Sequence, residues 1–183
     1  MARARTPRTA WIDAGLAVLA ARGPDAVRVE ALAQQLGVTK GGFYGYFDDR
    51  PALLAEMLDT WERRSIGDVL DRVEREGGDT RTRARRAGEL TFSPELLTLD
   101  LAVRDWARRD AAVAERLRRV DDQRLGFLRT QFADRFPDPV ELEARCLLAF
   151  CTAIASDLIL ARHPGNTRGE IVDRAEALLF GGD

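Results

Sequence analysis

The chain has 183 residues, 45% hydrophobic and 32% charged, with a net charge of −2 at neutral pH. That mixture supplies a core and excludes a disordered composition, and no apolar run is long enough for a membrane span, so no membrane partner is expected. Basic residues exceed acidic ones seven to five over residues 1–50, whereas acidic residues lead 25 to 21 over residues 51–183.

Helical periodicity recurs throughout and strand signals are nearly absent, so an all-α fold is predicted. Ile12, Gly15, Leu16, Leu19 and Ala20 line one face of a first helix that Gly23-Pro24 stops. Val29, Leu32, Ala33 and Leu36 repeat the spacing in a short second helix. Gly37-Val38 separates it from a third, with Thr39 as the expected N-cap and Phe43 and Phe47 as its apolar pair. Asp49 is placed as the cap of a fourth helix that runs past Trp61 toward Val73, until Gly77-Gly78 breaks it. Further helices are expected over residues 80–90, after Ser93-Pro94, after Asp110, from Val140 to Ala161, and through Ile171 to Leu179. Two parts are expected, 1–50 and 51–183, joined at or inside the fourth helix.

Catalytic chemistry lacks an inventory. The one histidine, His163, lies in a Pro/Gly loop, and neither a metal-spaced Cys/His cluster nor a Gly-x-Ser-x-Gly elbow occurs. No enzyme activity, metal or cofactor is expected. Cys146 and Cys151 lie five apart, on different helix faces, and are not expected to pair, which fits a cytoplasmic protein.

The second and third helices, with their two-residue separation, have helix-turn-helix geometry, in which the second helix of the pair enters the major groove of DNA. Thr39 offers a hydroxyl and Lys40 a mobile charge to phosphate, and Gly41 and Gly42 allow the backbone to approach closely. Tyr44 and Tyr46 can reach phosphates or thymine methyls, Arg28 a phosphate or a guanine edge, and Arg50 the flanking backbone. Arg3, Arg5 and Arg8 form an arm suited to the minor groove. Phe43 and Phe47 are assigned to the core. The stretch Val29 to Phe47, continued by Asp49-Arg-Pro-Ala-Leu-Leu54 and preceded by Ala20-Ala-Arg-Gly23, resembles the signature of the TetR/AcrR family. Arg28 stands where that family often has Ser or Thr, and Gly45 where it often has a larger residue.

The resemblance implies a sequence-specific DNA-binding regulator, a repressor that acts as a homodimer on double-stranded operator DNA and is released by a small-molecule effector. The implied architecture is an N-terminal three-helix DNA-binding domain and a C-terminal helical bundle for ligand binding and dimerisation. The other open reading keeps the helix-turn-helix and gives the C-terminal part a protein partner instead. Candidate ligand residues are Trp61, Phe92, Leu96, Leu99, Arg104, Trp106, Phe127 and Phe150. Arg104 calls for a carboxylate, either from an acidic ligand or from Asp100 four residues earlier. Candidate dimer residues are Ala149, Ala153, Ser156 and Leu160 on one helix and Ile171, Ala175, Leu178 and Leu179 on the last, the implied pairing being a four-helix bundle.

Overall fold

The computed structural model describes residues 6–155 and 158–181. Among them the regular structure is entirely helical. In chain order the elements are α1 (Arg8–Arg22), a 3-10 turn (Pro24–Ala26), α2 (Val29–Gln35), α3 (Lys40–Phe43), α4 (Arg50–Glu62) and a π-helical turn (Arg63–Gly67). They continue with α5 (Asp68–Glu76), α6 (Thr80–Thr91), α7 (Pro94–Ala107), α8 (Ala111–Phe132), α9 (Pro139–Ala155) and α10 (Arg168–Leu179). The chain forms two compact units, Met1–Gly67 with Pro94–Arg119 and Asp68–Ser93 with Val120–Asp183. The segment 51–183 therefore contributes to both.

The stops and starts follow local chemistry. Gly23 ends α1 at φ +77°, and Pro24 opens the 3-10 turn. The Asp49 carboxylate accepts from the Ala52 amide at 2.8 Å, Asp79 from Thr82 at 2.8 Å, and Asp110 from Ala112 at 2.9 Å, each satisfying a free amide of a helix start. The π-turn interrupts the fourth predicted helix, which simple periodicity did not foresee.

In the first unit α1 packs against α4 and α7. Trp11, Leu19, Leu32, Phe43, Leu53, Met57, Trp61 and Val103 are fully buried. Gly15 lies where α1 meets α4, and a Cβ there would come within 2.6 Å of the Met57 Sδ and force that buried side chain to shift. In the second unit Ala84, Leu128, Phe132, Phe136 and Cys146 form the centre. The Phe180 ring meets Phe132 edge-on, with centroids 4.9 Å apart.

Two expectations need correction. The helix expected over 140–161 runs from Pro139 to Ala155, and residues 158–161 lie outside it. Arg168, at the start of α10, donates to the Ile159 carbonyl, which holds this apolar stretch in a loop. Thr39 adopts the extended N-cap conformation of α3 but makes no side-chain cap bond, and α3 is a single turn followed by hydrogen-bonded turns to Phe47. Glycines at 41, 42 and 45 weaken helix formation in that segment.

Candidate nucleic-acid interface

The α2–α3 pair is built by one tight turn and one buried ring. After α2, Gly37 takes φ +66°, a conformation that side chains disfavour, and the Val38 amide returns to the Ala33 carbonyl at 3.0 Å. Phe43 then enters the core. Its ring meets Trp11 edge-on at 5.4 Å and stacks on Phe47 at 5.1 Å. With Phe43 inside, the opposite side of the segment faces solvent.

Arg28, Thr39, Lys40, Gly41 and Tyr44 are exposed there, and Gly42 and Tyr46 are half-buried. Tyr44 keeps 55% of its surface. Lys40 pairs with Glu30 of α2. That hydrogen bond raises the Lys40 pKa and lowers that of Glu30, and Tyr44 adds to the shift at Lys40. Arg28 starts α2 in extended conformation and donates to the Asp25 carbonyl at 3.4 Å.

Arg50 sits differently from the other candidates. It is half-buried, and its Nε and Nη2 each donate at 2.6 Å, to the Val27 and Pro24 carbonyls. From the start of α4 it grips the backbone that leads into α2. Arg8 pairs with Glu56 and lies over the Phe47 ring at 5.1 Å, while Arg3 and Arg5 lie outside the described residues.

The ligand candidates divide between the units. Trp61, Leu96, Leu99, Arg104 and Trp106 belong to the first, and Phe92, Phe127 and Phe150 to the second. Trp61 is fully buried, and its indole N–H has no hydrogen-bond partner. The Arg104 Nε donates to buried Asp100 at 2.7 Å, so the protein supplies the carboxylate. In the second unit the Phe92 and Phe150 rings meet edge-on at 5.5 Å. Buried Arg124 of α8 places its guanidinium 5.4 Å from the Phe92 centroid and pairs with Asp121. Arg124 is not among the residues singled out from the sequence, since nothing in its spacing announces burial against a ring from another helix.

The dimer candidates all belong to the second unit and divide between packed and exposed positions. Ala149 packs on the second unit's own core, and Ala153 lies so close to Gly88 of α6 that a Cβ there would sit 3.2 Å away. Ser156 lies outside the described residues. Leu160 and Leu178 are exposed, Ile171 lies at the edge of exposure, and Ala175 and Leu179 are half-buried. Val140, Leu147, Leu148, Leu158 and Ile159 are exposed as well, so nearly all the large exposed apolar residues fall between 140 and 178. Leu147 and Leu148 went unrecognised because α9 is apolar around most of its girth, and periodicity alone does not choose a face. Among the described residues no helix is long and apolar enough to cross a membrane.

Residues 12–57 match the family profile described as bacterial regulatory proteins, tetR family. Over 88 residues the chain is 34% identical to an uncharacterized HTH-type transcriptional regulator, YwcC, of Bacillus subtilis (strain 168). The match takes in 45% of this chain and 40% of that protein, less than half the length of either. The fold is similar to that of the transcriptional regulator FadR from Bacillus subtilis in complex with stearoyl-CoA, with a TM-score of 0.69 and 17% identity over 97% of this chain and 100% of that one. It is also similar to AibR in complex with isovaleryl coenzyme A and operator DNA, with a TM-score of 0.68 and 16% identity over 96% and 98%. At those identities the likeness is one of fold.

Proposed function

We propose that the chain, whose residues 12–57 match the tetR family profile, is a repressor that binds operator DNA as a homodimer and releases it on binding a small molecule. The observation that carries the DNA reading is the α2–Gly37–α3 unit, with Phe43 seated in the core and Arg28, Thr39, Lys40 and Tyr44 turned outward. That arrangement suits a turn inserted into the major groove with flanking phosphate contacts. Gly41, Gly42 and Tyr46 complete the proposed contact surface, and Arg50 contributes by bracing it. The exposed apolar residues of α9 and α10 are the proposed dimer face.

The effector we favour is an acyl-CoA thioester, the ligand class named for two proteins of similar fold. The edge-on Phe92–Phe150 pair, with the Arg124 guanidinium over Phe92, has the mixed apolar and cationic character that such a ligand demands. Release requires that the effector bind the free conformation more tightly than the DNA-bound one.

The test is fluorescence anisotropy of duplex binding against salt concentration, for the unmodified chain and for Lys40→Ala. The variant is expected to bind every duplex more weakly and to flatten the salt slope by about one. Stearoyl-CoA and isovaleryl-CoA, added separately, are expected to raise the melting temperature and dissociate the duplex, because a ligand specific to the folded state stabilises it. Absence of salt-dependent duplex binding would refute the DNA reading. Duplex binding unaffected by either thioester would refute the effector class alone.

A further inference from the structure

Of the 28 basic residues, 27 are arginine and one, Lys40, is lysine. It occupies the first position of α3, and its ammonium is held by Glu30, the second residue of α2. Both side chains are exposed, 49% and 67% respectively. Glu30 is well placed at a helix start, where free amides favour an anion. It is poorly placed on a surface that must meet phosphates, since a carboxylate there repels them. In the free protein Lys40 cancels that charge, so the pair offers a duplex no net attraction. When Lys40 turns to a phosphate, Glu30 is left uncovered and opposes the contact.

We propose that Glu30 is an affinity-limiting residue: it holds Lys40 in the free protein and must be displaced by DNA, which lowers affinity for any duplex and leaves binding to depend on the remaining, sequence-sensitive contacts. Lysine suits this role better than arginine. Its ammonium rotates on a flexible stem between alternative partners, whereas a guanidinium would grip the carboxylate through two parallel hydrogen bonds. The inference rests on the reading of α2–α3 as the DNA interface.

A double-mutant cycle tests it, with the full chain and a mixed-sequence duplex. Glu30→Gln keeps the shape of the side chain and removes its charge. It is expected to tighten binding about two- to fivefold, the scale of one exposed ion pair. The gain should be smaller in the Lys40→Ala background, where Glu30 has no ammonium to hold and only its general repulsion of phosphate is removed. Equal gains in both backgrounds would mean that Glu30 acts only as a general negative charge, and would overturn the proposal. So would unchanged or weaker binding by Glu30→Gln when its melting temperature matches that of the unmodified chain. If the unmodified chain bound no duplex, the interface itself would be refuted along with the proposal, an outcome distinct from binding without coupling.

Discussion

At the scale of single residues, the telling feature of the interface is glycine without a packing reason. A Cβ at Gly41 would meet nothing closer than the Thr39 hydroxyl oxygen at 3.8 Å, and at Gly42 nothing closer than the Trp11 ring at 3.9 Å. Both are ordinary contacts, and neither position has positive φ. The fold therefore carries the helix-weakening cost of glycine, about 1 kcal/mol each, with no benefit to its own packing. In the proposed interface, close approach of backbone to DNA supplies the benefit. Gly41→Ala is expected to raise stability by up to about 1 kcal/mol while weakening duplex binding. Calorimetry and anisotropy on the same preparation check the opposed signs, and a stabilised variant with undiminished binding would remove the close-approach explanation. The Lys-Gly-Gly-Phe-Tyr segment was legible in the sequence because residue type and spacing state its chemistry directly. The Glu30 partner was not, since it lies ten residues away on another helix.

At the scale of elements, the orientation of α2 and α3 depends on Arg50. Its two hydrogen bonds to the Pro24 and Val27 carbonyls join the start of α4 to the approach to α2. Read as sequence, an arginine just after the recognition segment looks like a phosphate contact. In the structure its partners are backbone carbonyls 23 and 26 residues away, and no pattern of side chains announces those. Arg50→Met is expected to destabilise the protein by about 1–3 kcal/mol, the range for hydrogen bonds made by a charged group. It should weaken DNA binding while leaving the salt slope unchanged, in contrast to Lys40→Ala. A slope reduced by about one would return Arg50 to the phosphate contacts. Helix starts at Asp49 and Asp110 were readable, because each caps its helix with a short side chain. The end of α9 was hidden. Apolar residues recur at Leu158, Ile159 and Leu160, and Arg168, nine residues on from Ile159, donates to its carbonyl in the loop.

At the scale of the whole molecule, the account requires two copies. In the proposed mode of binding, a helix as short as α3 with its turn would reach too few base pairs for a long site, whereas a two-fold dimer would read two half-sites. The exposed leucines of α9 and α10 are the surface most in need of cover. A charged pair at Leu148 and Leu178, as in Leu148→Glu with Leu178→Glu, is expected to give a folded monomer by light scattering. The measurement that bears most directly on the central claim is selection of duplexes from a random-sequence pool by the unmodified chain, beside this double variant. The unmodified chain should enrich an inverted repeat whose half-site centres lie about one helical turn apart, 34–36 Å, or a multiple of it, and the double variant should enrich none. No enriched sequence, or a single asymmetric site bound equally well by the monomeric variant, would contradict the account.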